Sequence, residues 1–337
     1  GGEPNVIARY TRYPFDDKLM EGPSLGGDDG AHLRPCHTDL KWTIATTRWE
    51  GSFWWHDDDV LTRADPGAAR LYAGYGERHV GRIAVKVAQE GGQLWNDGMV
   101  WTKLQEIGGF AGLPRLHAHL RGVGASGQLD ALACELCGPS LAWHASHAPF
   151  GWLAAADVCA VGAELFALIG RCHAAGYAHR DITPANLLTP LVAPADGGAA
   201  LLLIDFGIAK PLPQRGAGDV AARHAAKAQD ESGTLRFATP HLGVEPLAPR
   251  DDVLGACFAL LSLAGAPLPW DAEVARAQAP GVNRKTVRAE RAERGRVAKL
   301  KLRFLRDAAA ASNADDATAG DTEDQRQPGP GVDAPFK

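Results

Sequence analysis

Short β-prone runs separated by turn residues occupy the first part of the chain, and longer apolar patterns of helical spacing follow them. Branched and aromatic residues predict three strands, at Val60–Thr62, Arg70–Ala73 and Ile83–Val87. A helix is predicted over Asn96–Glu106, where apolar residues recur on one helical face. This order indicates an α+β chain with a small β-rich lobe, a larger α-rich lobe and a cleft between them, where ligands commonly bind.

Two apolar helices are predicted in the second part of the chain. The segment Trp152–His173 is rich in Ala and Leu, and Val253–Trp270 is almost wholly apolar. A membrane-spanning helix needs about 20 apolar residues. Because Val253–Trp270 is shorter, has two prolines near its end and directly follows Arg250-Asp251-Asp252, it predicts a buried helix, and no membrane partner is expected.

Charge is unevenly distributed in a chain whose formal net charge is -5. Residues 284–306 carry ten bases and two acids with apolar residues at helical spacing, which predicts a basic amphipathic helix. Residues 307–337 carry seven acids and two bases among Ala, Gly and Pro, which predicts a disordered acidic tail. The basic helix can bind acidic partners or nucleic acid, but a solvated face neutralised by the tail explains it equally well, so nucleic acid is not expected as the main partner.

The first residues of the chain and its cysteines are informative about the cellular compartment of the protein. Residues 1–56 are rich in Gly, Pro and Asp but hold four tryptophans, and they are predicted to form an N-terminal extension. Six scattered cysteines without a secretory leader before them predict reduced thiols and a cytoplasmic or nuclear protein. Cys134 and Cys137 form a single C-x-x-C without a second pair, so a zinc site is not predicted.

The strongest chemical signal is the string H-R-D-I-T-P-A-N at 179–186, which D-F-G at 205–207 follows beyond an apolar strand. Phosphate transfer from ATP needs a base for the attacking hydroxyl, ligands for magnesium and charge placed around the phosphates. Asp181 can accept the hydroxyl proton, and Asn186 can reach Mg²⁺ through its amide oxygen. Asp205 supplies the hard anionic oxygen that Mg²⁺ prefers.

A lysine in the third predicted strand completes this set. Ala84-Val85-Lys86 resembles the V-A-I-K string of protein kinases, whose lysine binds the α- and β-phosphates of ATP. A lone lysine after apolar residues is more often a solvated edge position, but the motifs downstream reverse that expectation.

Further strings identify a resemblance to the casein kinase I family over residues 60 to 300. They are E-L-C-G-P-S-L at 135–141, D-F-G-I-A-K at 205–210, G-T-L-R-F-A at 233–238, H-L-G-V-E at 241–245 and L-P-W at 268–270. The resemblance implies the bilobal protein-kinase fold, with the N-lobe at 57–137 and the C-lobe at 138–306, whose last helices are reduced. It implies a serine/threonine kinase that transfers the γ-phosphate of ATP, with Mg²⁺, to acidic or pre-phosphorylated protein substrates.

The resemblance also implies roles for individual residues. Lys86 would hold the ATP phosphates, with Asp97 as the best-fitting acidic partner and Glu90 and Glu106 as alternatives. Asp252 would brace the catalytic loop, and Arg250 would bind a substrate anion. The other positions implied around the nucleotide are Gly67, Ala84, the gatekeeper Cys134, the backbone of Glu135 and Cys137, and Leu188 beneath the base.

Two departures from the kinase pattern motivate an alternative function. Only Gly67 remains where the glycine-rich loop should lie, and glycines there let the backbone approach the phosphates. Thr183 replaces the lysine that serine/threonine kinases carry two residues after the catalytic Asp. The alternative is a pseudokinase that binds nucleotide or acts as a scaffold. Retention of Lys86, Asp181, Asn186 and Asp205 together argues against it, because an inactive site has no physical need for all four.

Overall fold

The chain is described by a computed structural model. It describes residues 41–44, 53–62, 70–76, 82–89, 93–124, 127–191, 200–212, 233–241, 247–278 and 287–320. The chain divides into two compact units, residues 1–268 and 269–337. No helix within the described ranges has the length and apolar character needed to cross a membrane.

The first unit contains a six-stranded antiparallel sheet in the order β1-β5-β6-β4-β3-β2. Its strands are β1 Lys41–Ile44, β2 Phe53–Thr62, β3 Arg70–Gly76, β4 Arg82–Gln89, β5 Leu116–Gly124 and β6 Gly127–Glu135. The strand β4 lies inside the sheet, between β3 and β6, and its residues Ile83, Ala84 and Val85 are all buried. A lysine on this strand is therefore held by a rigid element rather than by a loop.

The sheet begins earlier in the chain than the sequence predicts. The strand β1 pairs with the edge strand β5, from Lys41 opposite Val123 to Ile44 opposite Leu120. The strand β2 begins at Phe53, so the predicted boundary at 57 falls within a strand. The strand β1 and the start of β2 come from the segment predicted as an extension, where β-prone Trp, Thr and Ile stand among turn-forming residues that obscure them, whereas the end of β2 contains the predicted strand Val60–Thr62.

The described part of the first unit also contains helices α1 Gln93–Glu106, α2 Leu141–His147, α3 Ala155–Ala174 and α4 Pro249–Leu263. Its short strands are β7 Tyr177–Ala178, β8 Leu187–Leu188, β9 Leu202–Leu203 and β10 Lys210–Pro211. The predicted apolar helix at 253–270 is α4, but it ends at Leu263. Gly265 has a φ of 75°, and the two prolines that follow cannot continue the helix. Phe206 and apolar side chains of α3 and α4 share one core.

The second unit consists of α5 Asp271–Gln278 and α6 Val287–Gly320 within the described residues. The predicted disordered tail starts inside α6, which continues past 307 because the Ala-rich residues there have the highest helix propensity. Not every base of this helix is solvated. Lys301 is buried, with its ammonium 5.1 Å from the ring centroid of Trp270. Burial, and then the nearby charge of Arg294, lower the pKa of Lys301 to about 7.

Candidate active site

Lys86 on β4 lies between two carboxylates. Its Nζ is 3.1 Å from Oδ2 of Asp97 on α1 and 3.2 Å from Oδ1 of Asp205. Of the alternative partners, Glu106 is exposed at the end of α1, and Glu90 lies outside the described residues. The α1 carboxylate that contacts Lys86 is that of Asp97, and its short side chain reaches hydrogen-bonding distance.

Burial and the neighbouring charges act in opposite directions on the pKa values of these three groups. Burial alone would lower the pKa of Lys86, but the two carboxylates outweigh it, and the pKa lies above its ordinary value. Burial raises the pKa of Asp205, but Lys86 outweighs it and the pKa ends below its ordinary value. For Asp97, which is 1% exposed, burial prevails over Lys86 and raises the pKa. Of the two carboxylates, Asp205 is therefore the one that ionises more readily.

Two consecutive residues of α1 fasten this helix to the D-F-G segment. Oδ1 of Asp97 accepts a hydrogen bond from the backbone N–H of Phe206 at 2.8 Å. Nδ2 of Asn96 lies near three backbone carbonyls, those of Phe206 at 3.2 Å, Gly207 at 3.0 Å and Ala209 at 3.3 Å. We call these contacts of Asn96 and Asp97 with the backbone of residues 206–209 the α1 latch. No local pattern in the sequence points to Asn96, since its partners lie more than a hundred residues away.

Phe206 is fully buried and packs against one ring of α1 and one ring of the loop at 179–186. Its ring centroid lies 5.0 Å from that of His179 and 6.0 Å from that of Trp101. Nε2 of His179 also lies 3.0 Å from the carbonyl oxygen of Ile204. The D-F-G segment is thus positioned by α1 and by the catalytic loop together.

A glycine in α1 allows a close approach to the sheet. A Cβ added at Gly98 would lie 2.5 Å from ring atoms of His119, a fully buried residue of β5. The His119 ring is also packed against Trp95, with ring centroids 4.3 Å apart. Because Gly98 follows Asp97 directly, any shift of the helix at this point moves the partner of Lys86.

Replacement of Gly98 by Ala is expected to destabilise the chain by about 1–3 kcal/mol, because a buried ring must move. The matched control is Gly170→Ala in α3, where a Cβ meets nothing within 4 Å. That change should stabilise by up to about 1 kcal/mol through helix propensity. Urea unfolding of both variants measures the difference, and equal effects of the two substitutions would contradict this account of Gly98.

In the predicted catalytic loop, residues 179–186, both carboxylate oxygens of Asp181 accept hydrogen bonds. Oδ2 accepts a hydrogen bond from Nδ2 of Asn186 at 3.0 Å, and Oδ1 accepts one from the backbone N–H of Thr234 at 2.9 Å. The same Asn186 nitrogen donates to the Asp181 carbonyl at 2.9 Å. Because these bonds use the amide nitrogen of Asn186, its oxygen Oδ1 is the atom left to reach a cation.

Asp252 at the start of α4 accepts hydrogen bonds from the backbone of this loop. Its Oδ1 accepts from the backbone N–H of Arg180 at 2.7 Å, and its Oδ2 accepts from that of His179 at 2.8 Å. Nε2 of His173 lies 2.8 Å from the same Oδ2. Arg180 has a φ of 72°, a conformation that costs a non-glycine residue free energy and persists only where the surroundings impose it.

Thr183, which stands where serine/threonine kinases have lysine, turns inward. It is 4% exposed, and its Oγ1 accepts a hydrogen bond from the backbone N–H of Asn186 at 3.3 Å. Thr183 therefore stabilises the turn that carries Asn186, but it supplies no positive charge near a phosphate.

The segment between the lobes brings three predicted nucleotide-binding residues into one region. Glu135 ends β6, and its carbonyl oxygen lies 3.5 Å from the thiol of Cys137. Leu188 on β8 bridges to Ser140, just beyond Cys137. Burial raises the pKa of the Cys134 thiol to about 12, so this thiol stays protonated.

The remaining predicted site residues fall in different places. Ala84 is buried two residues before Lys86 and pairs with Cys134 across the sheet. Arg250 is exposed in the first turn of α4, next to the buried Asp251. Gly67 lies outside the described residues, so the geometry of the glycine-poor loop is not part of the site described above.

Few side chains at the site can bind a metal ion. Among the described residues, no three His, Cys, Asp or Glu side chains converge as a metal cluster. Asp205, whose side chain is 38% exposed, and Oδ1 of Asn186 offer two oxygens of the kind that Mg²⁺ prefers. Mg²⁺ commonly takes one or two protein ligands and completes its shell with phosphate oxygens and water, so this donor set fits a metal–nucleotide complex.

Comparisons with known proteins agree with this geometry, although no protein-family model matches the chain. The casein kinase 1-like protein HD16 of Oryza sativa subsp. japonica is 26% identical over 171 residues, which is 50% of this chain and 23% of that protein. The chain thus aligns with about a quarter of the length of this relative.

A solved structure of vaccinia related kinase 3 matches with a TM-score of 0.52 and 18% identity, over 78% of this chain and 74% of that one. This match confirms the predicted α+β, bilobal protein-kinase fold. The chain therefore has the protein-kinase fold, and half of its length is similar in sequence to a casein kinase 1-like protein.

Proposed function

We propose that the chain is an ATP- and Mg²⁺-dependent kinase that phosphorylates serine or threonine hydroxyls of proteins. The observation that carries this proposal is the ion-pair arrangement in which Lys86 contacts Asp97 and Asp205 at once, at 3.1 and 3.2 Å. An inactive relative has no need to keep a lysine, its helix partner and a metal-binding carboxylate in mutual contact.

Each of these residues has its own role in phosphate transfer. Lys86 binds the phosphates of ATP, and Asp97 holds the lysine in place. Asp205 and Asn186 would hold Mg²⁺, which neutralises charge on the phosphate oxygens when bound. Asp181, fixed by Asn186 and Thr234, accepts the proton of the attacking hydroxyl.

The proposed substrate class follows from charge. Arg250 is exposed, and a guanidinium can bind a carboxylate or a phosphate through two parallel hydrogen bonds. We therefore propose that acidic or pre-phosphorylated segments are preferred. Thr183 removes a cation that would otherwise help to neutralise the transferred phosphate, so a slow rate is expected.

A pseudokinase that binds nucleotide without transferring phosphate is the second candidate. It is favoured by the inward-facing Thr183 and by the single glycine, Gly67, in the phosphate loop. Both candidates keep the fold, and they differ only in whether the bound nucleotide reacts.

A pair of measurements distinguishes the candidates. Thermal unfolding with ATP and Mg²⁺ reports binding, because a ligand of the native state raises the melting temperature. Transfer of radiolabelled γ-phosphate to dephosphorylated casein, an acidic protein, reports catalysis. We expect both a higher melting temperature and labelled casein. A melting-temperature increase without transfer would favour the pseudokinase. The absence of both effects would refute both candidates.

A further inference from the structure

A cavity of about 520 Å³ lies against one face of α1. The helix supplies Gln93, Asn96, Met99, Val100 and Lys103, which recur at the spacing of a single helical face. The opposite wall consists of Tyr177 and of residues 207–211, which follow the D-F-G phenylalanine. The volume lies within the roughly 300–1,000 Å³ that is typical of small-molecule sites.

The lining combines an apolar body with positive charge. Met99, Val100, Tyr177, Ile208 and Pro211 supply apolar and aromatic surface. The described residues that line the cavity include two lysines, Lys103 and Lys210, and no Asp or Glu. These two lysines therefore carry the only formal charges among the lining residues. Such a site is complementary to a molecule with an apolar body and one negative charge.

We propose that this cavity is a binding site for a small amphiphilic carboxylate, whose charged end contacts Lys103 and whose apolar body lies on Met99 and Ile208. No residue of the nucleotide-binding set lines the cavity. The proposal therefore stands apart from phosphate transfer and can be tested whether or not the chain is an active kinase.

The position of the cavity gives such a ligand a structural effect. Asn96 and Gly207 line the cavity and also form part of the α1 latch. A ligand stabilises the conformation whose surface it contacts. Occupation of the cavity should therefore stabilise the latched arrangement of α1 and the D-F-G segment, and with it the contact between Lys86 and Asp97.

The test compares two probes that differ in charge, 4-phenylbutyrate and the neutral 4-phenylbutan-1-ol. Isothermal titration of the full chain should show the carboxylate binding more tightly, by up to about fivefold, the upper end of the range for one solvent-exposed ion pair. Hydrogen–deuterium exchange should slow at 93–106 and 206–211 when the carboxylate is added. Equal affinity for the two probes, or protection confined to other segments, would overturn the proposal.

Variants establish the location. Lys103→Ala, at an exposed position, should remove the preference for the carboxylate, whereas Lys299→Ala on the exposed surface of α6 should leave it unchanged. Met99→Glu should abolish carboxylate binding, because it introduces a negative charge without lowering helix propensity much. Carboxylate binding that survives both Lys103→Ala and Met99→Glu in a folded chain rejects the site, as does an absence of binding by the unchanged chain.

Discussion

The variant Asp205→Asn should transfer phosphate on the order of 10³-fold more slowly than the unchanged chain, because metal-assisted charge stabilisation contributes several kcal/mol to such reactions. The substitution preserves the size of the side chain but removes the anionic oxygen that faces Lys86 at 3.2 Å. An amide oxygen is a much poorer ligand for Mg²⁺ than a carboxylate, so the loss should fall on the metal-dependent step.

The local backbone makes Asn the appropriate replacement. Asp205 has a φ of 68°, in the left-handed region that Asn and Asp adopt more readily than other side chains. An Asn side chain can also still accept the weak hydrogen bond from the N–H of Gly207, which is 3.4 Å long. Lys86 retains Asp97 as a partner, so the variant is expected to fold with the site intact apart from one charge.

Three measurements separate a metal role from a structural one. The melting temperature without nucleotide should stay within about 2 °C of that of the unchanged chain, since a change of 1 kcal/mol corresponds to about 2–4 °C in a domain of this size. The dependence of ATP affinity on Mg²⁺ should disappear, and transfer to casein should fall. The matched control is Asp307→Asn on the exposed surface of α6, which should alter none of the three. Undiminished transfer by Asp205→Asn would exclude the metal role.

Residues that act through their position in a short string could be predicted from the sequence. Lys86 follows buried residues of a central strand, and Asp181 and Asn186 belong to one eight-residue loop, so local spacing alone relates them. The partner Asp97 needed a further step, since the spacing left Glu90 and Glu106 open. The contact between Lys86 and Asp97 depends on how α1 packs against the sheet, and a linear pattern does not contain this information.

Other contributions to the site come from contacts between distant segments, and these could not be predicted. The Asn96 bonds join residues about 110 positions apart, and an asparagine within a helix is ordinarily a solvated side chain. Nothing in the linear sequence relates Gly98 to His119, whose ring lies against it in the folded chain. The length of α6 was underestimated for a different reason, because an Ala- and Asp-rich composition suits both a helix and a disordered tail.

Removal of the Asp252 carboxylate is expected to cause the largest loss of stability. Asp252 is 2% exposed, and Asp252→Ala leaves the N–H groups of His179 and Arg180 and the ring of His173 without their shared acceptor. A buried donor that loses its partner costs about 1–3 kcal/mol. We therefore expect a total of about 3–5 kcal/mol, comparable to breaking a buried ion pair.

The same substitution should disorder the catalytic loop before the whole chain unfolds. The strained backbone of Arg180, with its φ of 72°, is held by one of the bonds that Asp252 accepts, and relaxation of this residue moves the adjacent Asp181. Hydrogen exchange of the loop amides should therefore rise by more than the global loss of stability explains. Asp252→Asn should recover little of the stability that Asp252→Ala loses, because its amide nitrogen would face a backbone donor.

Asp251→Ala is the matched control, since it removes a neighbouring buried carboxylate of the same helix. Oδ2 of Asp251 accepts a hydrogen bond from the N–H of Ala248 at 2.9 Å, a contact that caps the start of α4. Loss of such a cap costs about 1 kcal/mol. The expected order in thermal unfolding is thus a fall of about 10 °C for Asp252→Ala and about 3 °C for Asp251→Ala. If the two variants had the same melting temperature, the carboxylate of Asp252 would be stabilising the start of the helix and not the loop.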